Sequence, residues 1–116
     1  MSFFSTLALH PPNAHLVGRG EFDAFAARWL RTRLDDAVDR GYLHFTVDAS
    51  AVSFVDAGGL GALVGLKNSV APFGGTLTFT AASDRFCRVA ELAGLRDAFD
   101  LDLLDIDLWA RAARSG

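Results

Sequence analysis

The period of the hydrophobic positions changes several times along the chain, and each change predicts an element. Residues 3–9 read as a strand with Leu7 and Leu9 on one side; Pro11, Pro12 and Asn13 make a turn, and His15 to Arg19 form a second strand. Asp23 is placed to cap a helix. Phe22, Phe25, Ala26, Trp29, Leu34, Ala37 and Val38 recur there at helical spacing, with Arg28, Arg31, Asp35 and Asp39 on the other side and Gly41 as the stop. Residues 42–48 alternate, Leu43, Phe45 and Val47 against His44, Thr46 and Asp48, and residues 76–80 do the same around Leu77 and Phe79. Alternation marks a sheet with one packed face, because a parallel sheet covered on both faces shows continuous apolar runs.

Between those two strands, Val52 to Val55 is strand-like and leads through Asp56 into a glycine-rich helix that Pro72, Gly74 and Gly75 end. Ser83 caps a third helix through Ala93, with Phe86, Val89 and Ala90 inward and Gly94 as its stop. A short strand is expected around Phe99 to Leu103, followed by a last helix from Asp105 or Asp107 that carries Leu108, Trp109 and Ala112. The order β-β-α-β-α-β-α-β-α predicts one α/β domain over residues 1–116, with a mixed sheet of four to five strands and helices mainly on one face.

Composition narrows the functions. The 116 residues hold one core, and 51% hydrophobic content argues against disorder. The formal charge is −3, without a basic cluster, which disfavours nucleic acid as a partner. The apolar start, Met1 to Leu9, has no basic flank and stops at His10-Pro11-Pro12, so neither a signal peptide nor membrane insertion is expected and the domain is read as cytoplasmic. Cys87 stands alone, and His10, His15 and His44 lack metal-ligand spacing, so neither disulfide, metal nor cofactor is expected. No nucleophile–base–orienter set is visible, and catalysis has no candidate residue.

The most informative stretch is Phe54-Val55-Asp56-Ala57-Gly58-Gly59-Leu60-Gly61-Ala62-Leu63. Asp56 follows an apolar strand and can cap the next helix, whose first residues have almost no side chain. Glycines at 58, 59, 61 and 65 weaken that helix by up to about 1 kcal/mol each relative to alanine. They either let it lie close to the sheet or leave a smooth surface at its N-terminus, and both readings stand together. A phosphate cradle fits poorly: neither the P-loop nor the dinucleotide glycine spacing is present, and Asp56 would repel a phosphate. A phospho-accepting receiver aspartate fits no better, since the first strand ends in His10-Pro11-Pro12 without acidic residues and Lys67 is the sole lysine.

The stretch from Thr46 to Leu63 resembles the signature of the STAS family of anti-sigma factor antagonists, in which Asp-Ser-Ser-Gly-Leu-Gly opens the helix after a strand. Gly20-Glu21-Phe22-Asp23, Gly74-Gly75-Thr76-Leu77 and Leu92-Ala93-Gly94-Leu95 are similar to three further family motifs, in order. The resemblance implies a cytoplasmic, non-enzymatic module that binds an anti-sigma factor, a serine kinase-like ATPase, in regulation of transcription. It also implies that the kinase phosphorylates the first serine to release the complex. Here that serine falls on Ala57 and the second on Gly58, so no phosphorylation is expected at this site; Ser50 and Ser53 are not taken as substitutes. The implied partner surface is Asp23, Asp56, Ala57, Gly58, Gly59, Leu60 and Lys67, edged by Ser83 and Asp84. The alternative is a STAS subunit of a transporter ATPase or a sensor scaffold, and homodimerisation is left open.

Overall fold

Neither Pro11 nor Pro12 can donate to a ladder, and the chain reverses at them, so the first two strands meet as an antiparallel hairpin. The computed structural model describes residues 3–104. Their order is β1 (Phe3–His10), β2 (Asn13–Phe22), α1 (Ala24–Asp39), β3 (His44–Val55), α2 (Ala57–Val70), β4 (Thr76–Ala82) and α3 (Asp84–Leu92). Single 3-10 turns follow α2 (Ala71–Phe73) and close the described part (Leu101–Leu103). The sheet runs β1-β2-β3-β4, parallel throughout except for β1. Phe45, Val47, Ala49, Leu77 and Phe79 are buried on the helix-covered face, while His44, Thr46 and Asp48 stay part-exposed on the other. The alternation thus predicts the one-sided sheet correctly.

Three expectations need correction. The segment expected as a fifth strand is a turn: Asp100 is left-handed (φ 51°), and Leu101 N–H donates to the Arg96 carbonyl at 3.0 Å. Phe99 and Leu101 are both buried, and their two-residue spacing imitates a strand although a turn delivers both to the core. The sheet therefore has four strands. The inward side of α1 is Ala26, Ala27, Leu30, Leu34 and Ala37, whereas Phe25 is 84% and Trp29 57% exposed. Phe25 and Trp29 share a helical stripe, one residue out of phase with the stripe that packs. Finally, the strand expected over residues 42–48 and the strand-like Val52 to Val55 are one unbroken strand, β3, which continues along β2 to Phe22↔Val55 by way of register shifts. The helix expected from Asp105 or Asp107 lies outside the described residues.

The local device at that continuation is Asp48, whose carboxylate accepts from Ser50 Oγ (2.6 Å) and Ser50 N (2.9 Å). The Ser50 hydroxyl and then its backbone N–H hold the Asp48 carboxyl below its ordinary value of 3.8. A lowered carboxyl contributes stability that is present above the unfolded pKa and is lost as pH falls through the folded one. Denaturation midpoints of the wild type are therefore expected to drop below about pH 4 more steeply than those of Asp48→Asn. Parallel pH profiles for the two proteins would contradict this assignment.

Candidate functional site

Because Phe22 and Val55 pair in register, the residues that follow them, Asp23 and Asp56, leave the sheet side by side. Each caps the helix it precedes. Asp23 Oδ1 accepts from Ala26 N at 2.9 Å, and Asp56 Oδ1 accepts from Gly59 N at 2.9 Å. Asp56 does more: its Oδ2 accepts from Ala24 N at 3.2 Å, so one carboxylate holds the starts of both helices. Two helix N-termini carry partial positive charge, and the acid between them offsets both.

The glycines divide by what surrounds them. A Cβ on Gly59 would lie 2.3 Å from the Phe22 carbonyl oxygen, and one on Gly58 would lie 2.4 Å from the Ala24 Cβ. Both glycines are thus demanded by the close approach of α2 to the β2–α1 junction. Gly65 lies under the Arg31 guanidinium at the crossing of α1 and α2. Gly61 differs, because nothing lies within 4 Å of a Cβ built there and the residue is exposed. Packing therefore gives no reason for glycine at 61. Gly61→Ala is expected to stabilise the domain by about 1 kcal/mol, read from its denaturation midpoint, while adding a methyl group to the outward face of α2. A destabilised Gly61→Ala protein would mean that the position is not open.

The expected surface splits into three places. Asp23, Asp56, Ala57 and Gly58 form one patch, with Ala57 and Gly58 exposed and Gly61 one turn further along α2. Gly59 and Leu60, which is 2% exposed, lie beneath that patch and shape it without presenting a side chain, which corrects their place in the contact surface. Lys67 sits farther along α2, where its amine donates to the Ala98 carbonyl and ties α2 to the chain after α3. Ser83 ties α3 to β3: its hydroxyl donates to the Val52 carbonyl (2.7 Å) and accepts from Phe86 N (3.1 Å). Asp84 is exposed and lines a polar cleft of about 280 Å³ with Cys87, Arg88, Glu91, Arg96 and Asp102. Burial first, and then the Asp84 charge, push the Cys87 thiol up, away from the reactive thiolate.

Sequence reasoning did not single out Glu21, Phe25 and Trp29 as surface groups or Gly61 as an open position. Only Gly61 had a visible signal, a helix-interior glycine two residues past the close contact. Among the described residues, no cluster of three or more His, Cys, Asp or Glu side chains is placed to hold a metal ion. No helix among them is long and apolar enough to cross a membrane.

A four-stranded mixed sheet with helices on one face, and a strand–Asp–helix junction at the carboxyl end of an interior strand, defines a small α/β module built around a helix N-terminus. The family model described as "Mlab, STAS domain" matches residues 5–105, and the chain belongs to the STAS domain family. The anti-sigma-B factor antagonist of Bacillus subtilis is 33% identical over 82 residues, covering 71% of this chain and 74% of that protein. An anti-sigma factor antagonist from Mycobacterium paratuberculosis has the same fold, with a TM-score of 0.74 at 22% identity over 84% of this chain and 83% of that one. A sulfate transporter family protein from Wolinella succinogenes also shares it, with a TM-score of 0.65 at 23% identity over 79% and 75% of the two chains. Relatives in sequence and neighbours in structure thus include anti-sigma factor antagonists, which are regulatory binding proteins.

Proposed function

We propose that this chain is an anti-sigma factor antagonist-like binding module that engages a serine kinase-like anti-sigma ATPase and is not switched by phosphorylation at position 57. The observation that carries the reading is the bare, exposed start of α2, held against α1 by Asp56. Its docking surface is Asp23, Asp56, Ala57 and Gly58 with the outward face of α2 at Gly61. Lys67 and Ser83 support it from outside by fixing α2 and α3, and Asp84 lies apart in its own cleft.

Phosphate on a side chain at 57 would bring about −1.5 to −2 charges beside the Asp56 carboxylate, adding strong like charge to the docking surface. Ala57 has no hydroxyl to accept it. What the substitution removes is release, not docking.

The test uses purified kinase-like ATPases from the source organism. The wild type is expected to bind one of them equally with and without ATP and to gain no phosphate. Ala57→Ser is expected to bind, to become phosphorylated, and then to dissociate. Phosphate on the wild-type chain would overturn the reading. A second reading, a STAS subunit docked on a transporter ATPase, draws on the fold shared with the Wolinella protein. Co-purification with transporter subunits in place of a kinase-like ATPase would favour it.

A further inference from the structure

An apolar opening lies beside the α2 patch, where the start of β1 meets the end of β2 and the first turns of α1. It encloses about 550 Å³ and is lined by Phe3, Phe4, Glu21, Asp23, Phe25, Ala26 and Trp29. Its composition is unusual for a solvent-facing surface. Phe25 and Trp29, one helical turn apart, are mostly exposed, and Phe4 across the groove is 63% exposed. Contiguous exposed aromatics mark interaction sites. Phe3 stacks on Phe22 with ring centroids 4.9 Å apart, which gives the groove a rigid floor.

The polar members of the lining are both acids. Glu21 Oε2 is buried and has no hydrogen-bond partner among the described residues. No basic side chain is among the described lining residues. Two carboxylates in an apolar lining with no basic side chain beside them give the groove negative charge, which a cationic group brought in from outside complements. Aromatic faces next to carboxylates suit a guanidinium better than an ammonium, since a guanidinium stacks on rings and forks its N–H groups to oxygens. Trp29 already takes such a contact within the chain, with the Arg33 guanidinium carbon 5.1 Å from its ring centroid.

We propose that this groove docks an arginine-bearing apolar segment of a protein partner, its guanidinium between Glu21 and the aromatic rings and its apolar neighbours on Phe4 and Phe25. The groove shares Asp23 with the α2 patch, so a partner seated on that patch can reach it without a second molecule. The proposal does not depend on the partner being a kinase-like ATPase.

The test is an NMR titration of the full chain with a short blocked peptide alternating leucine and arginine, beside versions with lysine or glutamate in place of arginine. Saturable shifts are expected at the amides of Phe4, Glu21 and Phe25 and at the Trp29 indole, weaker with lysine and absent with glutamate. Glu21→Gln keeps the side-chain volume, and Trp29→Ala removes an exposed ring; each is expected to weaken the arginine peptide about tenfold. Equal binding by the glutamate peptide, shifts centred on the Asp84–Asp102 cleft, or wild-type affinity in Glu21→Gln would overturn the proposal. Self-association that Trp29→Ala abolishes would assign the groove to a second copy of this chain and overturn it as well. Failure in any of these ways leaves the kinase-binding test above unaffected, because no kinase is present.

Discussion

Gly59→Ala is expected to lower the stability of the domain by about 3 kcal/mol, the upper end of the usual cost of overpacking. The added Cβ would sit 2.3 Å from the Phe22 carbonyl oxygen and 3.2 Å from the carbonyl carbon. Backbone cannot swing away as a side chain can, so α2 must back off from the end of β2. That movement also pulls Asp56 from Ala24 N, a bond already 3.2 Å long. For a domain of this size the midpoint of thermal unfolding should fall by roughly 15 °C. The same methyl group at Gly61, which meets nothing, should raise it. Opposite signs for one chemical change, two residues apart, separate close approach from surface exposure. A Gly59→Ala protein within about 2 °C of the wild type would show that α2 does not bear on β2 in this way.

Asp56→Ala is expected to cost about 2 kcal/mol. Loss of an N-cap accounts for about 1 kcal/mol and the bond to the neighbouring helix for a similar amount. Both bonds run to one carboxylate, from Gly59 N at 2.9 Å and Ala24 N at 3.2 Å, so the effect should appear at two places in the chain. Hydrogen exchange is the decisive readout. The amides of Ala24 and Gly59 should lose protection together, while the Ala26 amide, capped by Asp23, keeps more of its own. Asp56→Asn retains an acceptor for Gly59 and should recover most of the stability. Loss of protection at Gly59 alone would mean that Asp56 caps α2 without joining it to α1.

Positions 57 and 58, which the proposed function aligns with the two serines of the STAS signature, are not equivalent in this fold. Position 57 is exposed and has room for a hydroxyl. Position 58 does not, since any Cβ there would run into Ala24. Ala57→Ser is therefore a clean test of the proposed function, whereas a side chain at 58 would push α1 away.

The helix caps Asp23, Asp56 and Ser83, the left-handed Gly41, Gly74 and Gly94, and the alternating strands were all legible in the sequence. Each depends on a few neighbouring residues: a side-chain oxygen within reach of an amide, a missing Cβ, or a period of two. Apolar spacing was less faithful where two helical stripes ran in parallel. Phe25 and Trp29 fit the helical period as well as Leu30 and Leu34 do, and only the sheet's position decides which stripe is buried. Phe99 and Leu101 misled for the same reason, since a left-handed turn can deliver two residues to a core as a strand would.

For the site, the chain by itself determined the strand–Asp56–glycine junction, the absence of a hydroxyl at Ala57, and membership of a recognisable family pattern. Tertiary structure decided what each glycine is for. Gly58 and Gly59 answer to atoms of Phe22 and Ala24, more than thirty residues earlier, and no local pattern can report them. It also placed Lys67 on the Ala98 carbonyl and Ser83 on Val52, taking both out of the patch around Asp56. Sequence sets which groups can bond; only the packed sheet, by bringing Phe22 and Val55 into register, sets which of them meet.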